Sequence, residues 1–85
     1  MRGRERRRSL FVAGQGPVTL TAREWEVAER LLRGASTAEI AAELGLVPVT
    51  VRRHLGSVQR KLGVTTRADV VRLLAAAAEP GAAPV

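Results

Sequence analysis

The segment from position 36 to position 62 constrains the fold of this chain more than any other. It holds two short stretches of helical apolar periodicity, and Gly45 lies between them. The first stretch carries the small residue Ala41, and the second carries the branched residue Val51. A helix-turn-helix unit needs a small residue where its helices cross, a glycine that can adopt positive φ in the turn, and a branched apolar residue on its second helix. All three stand at the required spacing, so the segment predicts a helix-turn-helix.

Capping patterns predict where the helices begin and end. Thr21, Ser36 and Thr66 are each followed three residues later by an acid, a pair that satisfies free backbone donors at a helix start. A glycine follows each of the first three predicted helices, and a Pro-Gly pair ends the fourth. The expected helices span about 22–33, 37–44, 48–62 and 66–78. We therefore predict an all-α fold, a compact four-helix bundle that contains the helix-turn-helix.

The chain is expected to have one folded domain with a segment on either side of it. We expect a basic N-terminal arm or linker over 1–19, the folded domain over 20–79, and a disordered tail over 80–85. Within the arm, 9–18 is expected to be an ordered linker that packs its few apolar residues on the domain, with a short strand as the alternative. The five arginines among the first eight residues are either a disordered tail or an arm that contacts phosphates, and the sequence leaves both open.

Composition excludes several classes of function. The 85-residue chain has no cysteine, which rules out a disulfide, a cysteine-ligated zinc finger and a thiol nucleophile. Its single histidine, His54, cannot form a multi-histidine metal site, and no phosphate-cradling glycine loop or paired-carboxylate site is present. We therefore expect no enzymatic activity, no cofactor and no metal. No apolar run reaches the roughly 20 residues that cross a bilayer, and nothing resembles a secretory signal, so we expect a cytoplasmic protein.

The positive charge lies in two segments of the chain, the first eight residues and the third predicted helix. The net charge of +6 favours a polyanionic partner. Four basic residues and no acid lie between positions 48 and 63, whereas acids outnumber bases on the two helices before it. At 100° per residue, one side of this helix carries only apolar residues, and we expect that side to be buried: Val51, Leu55, Val58 and Leu62. The opposite side carries Val49, Arg53, Gly56 and Arg60, flanked by Arg52 and Ser57, with Thr50, His54 and Lys61 nearer its edge.

This opposite side has the chemistry that reads duplex DNA. Arginine donates two parallel hydrogen bonds to the O6 and N7 acceptors of guanine in the major groove. We expect Arg52 and Arg53 to read bases, and Arg60 and Lys61 to contact the phosphate backbone. His54 suits packing or a phosphate contact better than catalysis, because no nucleophile or orienting carboxylate accompanies it. A glycine inside a helix costs about 1 kcal/mol relative to alanine. Gly56 either lets the DNA backbone approach closely or stands at a position where this cost has no function.

The landmarks of the chain resemble the LuxR-type helix-turn-helix domain of bacterial transcription regulators and response-regulator output domains. The resemblance covers 20–74 and rests on four motifs: Leu20-Thr21-x-Arg23-Glu24-x-Glu26-Val27, Gly34-x-Ser36-Thr37-x-Glu39-Ile40-Ala41, Thr50-Val51-Arg52-x-His54 and Lys61-Leu62-Gly63-Val64-x-x-Arg67. It implies that the third helix enters the major groove. The DNA contacts it implies fall on Thr50, Val51, Arg52, Arg53 and Lys61. It also implies a longer parent chain with an N-terminal sensory or receiver domain, although Met1 leaves a stand-alone regulator open, and contact with RNA polymerase stays open.

Two residues depart from the pattern of the family. Val47 stands where a serine usually caps the recognition helix, so Pro48 must define that start without a side-chain acceptor. Gly56 replaces what is often a long polar or basic side chain. Because of Gly56, the base specificity that the family pattern implies is not carried over to the base pair facing this residue, whereas DNA binding itself is.

The fourth helix predicts a weak homodimer. One of its apolar stripes, formed by Val70, Leu73, Leu74 and Ala77, is expected to face the core. A second stripe of small or apolar residues, Ala68, Val71, Ala75 and Ala78, lies roughly 100° away and would be left exposed. A two-fold dimer formed there would place two recognition helices in successive major grooves, about 34 Å apart. The high helix propensity of alanine is the alternative explanation.

Two other functions compete with a transcription regulator. A sigma-factor region that binds promoter DNA has a similar helix pattern, but His54 and the ending from Lys61 to Val64 fit the LuxR type better. A protein-interaction module that has lost DNA binding is suggested only by Val47 and Gly56. Single-stranded nucleic acid is disfavoured, because the chain has only Phe11 and Trp25 for stacking.

Overall fold

The computed structural model of the chain describes residues 7–12 and 14–77. The elements in chain order are β1 (Arg8–Val12), β2 (Gly16–Leu20), α1 (Ala22–Leu32), α2 (Thr37–Leu44), α3 (Pro48–Leu62) and α4 (Arg67–Ala76). All four predicted helices are present, and each end lies within two residues of its expected position. Among the described residues, no helix is long and apolar enough to cross a membrane.

The all-α prediction is wrong because the chain forms a β-hairpin before the first helix. Strands β1 and β2 pair in antiparallel register, with Leu10 opposite Val18 and Val12 opposite Gly16. Inward and outward side chains alternate strictly on both strands, so Leu10, Val12, Val18 and Leu20 are all buried. The hairpin thus closes one side of the helical core.

Helix α3 lies at the centre of this core. Its predicted apolar stripe is confirmed, since Val51, Leu55, Val58 and Leu62 are all buried. They join one cluster with apolar side chains of the hairpin and of the other three helices. Packing on several sides fixes the rotation of α3 about its axis, and this determines which side chains face outward.

The helix starts differ in their capping. Thr21 and Ser36 form complete capping boxes with Glu24 and Glu39, as predicted. At α4 only half of the predicted box forms: the Thr66 hydroxyl accepts from the Asp69 N–H at 3.0 Å. The Asp69 carboxylate instead accepts from Arg72 at 2.6 Å, because an aspartate is one methylene shorter than the glutamate that reaches back to the cap residue.

Candidate nucleic-acid interface

The turn between α2 and α3 presents α3 to solvent. Gly45 ends α2 in the left-handed region, with φ of 70°. The backbone N–H of Leu46 then donates to the Ala41 carbonyl at 2.9 Å and closes the end of the helix. A side chain at Gly45 would strain this conformation, so the glycine is required by the turn. The helix-turn-helix predicted for 36–62 is therefore present in the structure.

The exposed surface of α3, here called the outer face, carries most of the residues predicted to contact DNA. Val49, Arg52, Arg53, Arg60 and Lys61 are exposed, and Thr50, His54, Gly56 and Ser57 are half-buried. Val51 is different, because its side chain is only 1% exposed and packs in the core. We therefore assign Val51 to the positioning of α3 rather than to contact.

Arg52 and Arg53 have no hydrogen-bond or ion-pair partner among the residues that the structure describes. Elsewhere in the described chain, four arginines pair with carboxylates: Arg23, Arg30, Arg33 and Arg72. One cause lies in the sequence, because α3 contains no acidic residue that could pair with them within the helix. The guanidinium groups of Arg52 and Arg53 are thus available to an external anion or base edge.

The basic residues in the last turn of α3 already have partners within the fold. The guanidinium of Arg60 donates to the Ser57 hydroxyl at 3.1 Å. Lys61 Nζ donates to Glu24 Oε1 on α1 at 2.7 Å. The Glu24 side chain is only 8% exposed, whereas that of Lys61 is 39% exposed.

The Glu24 carboxylate connects two elements. Its Oε1 also accepts from the Thr21 N–H at 2.9 Å, which is one half of the α1 capping box. Burial by itself raises the pKa of Glu24, but hydrogen bonds from Lys61 and Thr21 and the charge of Lys61 outweigh burial and hold the pKa below its usual value. Lys61 therefore serves the packing of α3 on α1 and is only partly available to a phosphate.

The N-terminal end of α3 is apolar and exposed. Val47 is 57% exposed and Val49 is 53% exposed. Val47 occupies the N-cap position and makes no side-chain hydrogen bond, so Pro48 begins the helix without a side-chain cap.

The second stripe of α4 is partly exposed. Ala68 and Ala75 are exposed, and Val71 is half-buried against the core. Ala78 lies outside the described residues. A surface groove of about 420 Å³ runs beside this stripe and is lined by Leu31, Leu32, Gly34, Ala35, Arg67, Ala68 and Val71. The stripe thus borders an open apolar surface.

The fold and the outer face of α3 define a helix-turn-helix domain. The family model of bacterial regulatory proteins, luxR family, matches residues 18–74 of the chain. This chain therefore belongs to the luxR family of bacterial regulatory proteins, and the match favours this family over the sigma-factor alternative.

Two curated relatives share the same segment. The chain is 49% identical over 53 residues to the transcriptional regulatory protein UhpA of Escherichia coli strain K12, which covers 62% of this chain and 27% of that protein. It is 49% identical over 51 residues to UhpA of Salmonella typhimurium strain LT2, which covers 60% of this chain and 26% of that protein. The chain thus spans about a quarter of the length of the relatives it matches.

Proposed function

We propose that this domain binds duplex DNA as the DNA-binding domain of a bacterial transcription regulator, with α3 in the major groove. One observation carries the proposal. Arg52 and Arg53 project from a helix whose opposite side is locked in the core, and they have no partner among the described residues. An α-helix fits the major groove of B-DNA, and arginine reads guanine there.

The outer face divides into two kinds of contact. We assign base reading to Arg52 and Arg53, near the N-terminal end of α3 where recognition helices meet base edges. Contacts to sugar and phosphate fall to Arg60 and to the polar residues Thr50, His54 and Ser57. Lys61 stays in this second set, but its pairing with Glu24 reduces its contribution to salt-sensitive binding.

The experiment that tests the proposal is selection of bound duplexes from a random pool. The domain should enrich one motif, and its affinity for that motif should fall steeply with salt. Each neutralised phosphate is expected to add about 0.9 to the slope of log affinity against log salt. If no motif is enriched, and if affinity at low salt is no better than that of a random basic peptide, the proposal fails.

We further propose that the domain dimerises weakly through α4 when it binds DNA. Support comes from Ala68 and Ala75, which leave part of the second stripe uncovered beside the apolar groove. Helices with small residues can approach closely, and a two-fold dimer would bind an inverted repeat. Sedimentation with and without such a repeat tests this, and an Ala75→Arg variant should lose cooperativity on two half-sites but not binding to one.

The lengths of the relatives support a longer parent protein. Both are transcriptional regulatory proteins, and each match covers about a quarter of the relative. We propose that this domain is the output part of such a regulator, with a sensory or receiver domain preceding it. Sequencing of the coding region upstream of Met1 is the direct test.

A further inference from the structure

Three consecutive apolar residues are exposed where α3 begins: Val47, Pro48 and Val49, here called the apolar tip. On either side of the apolar tip the chain turns inward, since Leu46 packs against the core, Thr50 is half-buried and Val51 is buried. Phe11 is the third large exposed hydrophobic residue of the described chain, and it lies on β1. Single exposed apolar residues are ordinary on a protein surface. A run of three at one helix end is not explained that way.

Folding does not account for the apolar tip. In the described chain, the helices α1, α2 and α4 each begin at a threonine or serine whose hydroxyl accepts a backbone N–H. Only α3 begins at a residue, Val47, that cannot do so. A serine there would satisfy a free backbone donor, whereas the half-exposed valine adds little to the core. The valine therefore leaves the helix start without a side-chain cap, and its exposed side chain is available for contact with a partner.

The location of the apolar tip identifies what it contacts, an inference that rests on the proposed DNA binding. The N-terminal residues of a recognition helix meet base edges in the major groove. Thymine alone among the four DNA bases presents a methyl group there, and apolar side chains recognise it. Arg52 and Arg53 follow directly and suit guanine. We propose that Val47 and Val49 contact the 5-methyl groups of thymine, so that the domain selects thymine next to the guanine read by arginine.

Replacement of thymine by deoxyuridine tests this contact, because it removes the methyl group and keeps base pairing. Each thymine of the selected duplex is replaced singly, and affinity is measured by fluorescence anisotropy. At one or two positions per half-site, the wild-type domain should lose about four-fold in affinity, the value for one methyl group returned to water.

Two variants assign the contact to the apolar tip. Val47→Ser restores a helix cap and Val49→Ser leaves helix propensity almost unchanged, so neither should unfold the domain. Each should bind the thymine and deoxyuridine forms of one sensitive position equally. Phe11→Ser removes an equally exposed apolar side chain from the hairpin, and it should keep the wild-type ratio.

The outcomes separate this inference from the proposed function. Sequence-selective binding that tolerates deoxyuridine everywhere overturns thymine reading and leaves DNA binding intact. A thymine preference that survives in both tip variants also overturns it, because other residues then read the methyl group. Absence of any sequence-selective duplex binding overturns the proposed function, and this inference with it.

Discussion

Replacement of Lys61 by methionine should destabilise the domain even though Lys61 lies on the surface. The substitution keeps an unbranched side chain but removes the ammonium that donates to Glu24 Oε1 at 2.7 Å. Glu24, with a side chain only 8% exposed, would keep its capping hydrogen bonds with Thr21 but lose its counter-charge. An almost buried carboxylate without its charged partner is the physical cause of the expected loss.

The exposure of the two partners sets the magnitude. Hydrogen bonds to charged groups contribute about 1.5 to 3 kcal/mol, and fully exposed ion pairs contribute about 0.2 to 1 kcal/mol. The Lys61 side chain is 39% exposed, so the pair lies between these cases. We expect Lys61→Met to lower the free energy of unfolding by about 1 to 2 kcal/mol, or the melting temperature by about 5 to 15 °C.

Urea denaturation of a double-mutant cycle measures this contribution. Glu24→Gln completes the cycle, because glutamine can keep the capping box without a charge. Arg23→Met serves as the control, since its pair with Glu26 is 43% exposed on both sides and should change stability by at most about 0.5 kcal/mol. A coupling energy no larger than the loss caused by Arg23→Met would refute the role given to Lys61.

The same pair predicts how stability depends on pH. Because the folded-state pKa of Glu24 lies below its usual value, its contribution is fully present above the unfolded pKa of about 4.3. That contribution is lost as the pH falls through the folded pKa. The difference between wild type and Lys61→Met should thus be largest near neutral pH and shrink below about pH 4. A difference that stays constant down to pH 3 would contradict this explanation.

Three glycine and cap substitutions give further tests by urea denaturation. Gly56→Ala should stabilise the domain by about 1 kcal/mol, since a Cβ there meets nothing closer than Arg60 Nη1 at 4.0 Å; a ten-fold loss of DNA affinity would instead show that the duplex approaches this position closely. Gly63→Ala should destabilise it by about 1 to 2 kcal/mol, because Gly63 has φ of 73°, a backbone conformation that an alanine adopts only with strain, whereas the Gln15 side chain beside it can move away; an unchanged midpoint would contradict this. Val47→Ser should add about 0.5 to 1 kcal/mol by restoring the cap, and a lower midpoint would show that the valine supports the fold.

The features predicted correctly from the sequence are those with local causes. Helix starts depend on a hydroxyl and an acid three residues apart, and Thr21 and Ser36 satisfy this rule within one turn. The outer face of α3 follows from a 100° period once the stripe from Val51 to Leu62 is recognised. The Val51 contact came from family resemblance, and it conflicts with the helical period that correctly buries this residue.

The features that were missed depend on distant parts of the chain. Two five-residue strands are only marginally stable alone, so the hairpin depends on burial of Leu10 and Val18 against helices that come later in the sequence. The pair between Lys61 and Glu24 joins residues 37 positions apart. Its only local signal was that Glu24 belongs to a capping box, and this does not predict a second partner.

The central claim is that the outer face of α3 reads duplex DNA, and comparison of two charge-matched double variants tests it most directly. Arg52→Ala with Arg53→Ala removes two positive charges from the outer face. Arg23→Ala with Arg72→Ala removes two charges from exposed arginines on α1 and α4. Affinity for the selected duplex and for a scrambled duplex is measured by anisotropy at one salt concentration.

The two variants should separate specific from general electrostatic binding. The α3 variant is expected to lose most of the preference for the selected duplex, at about 1 to 3 kcal/mol for each base-reading arginine. The α1 and α4 variant should keep the wild-type preference. Equal loss of preference in both variants, or full preference in the α3 variant, would contradict the claim that Arg52 and Arg53 read the bases.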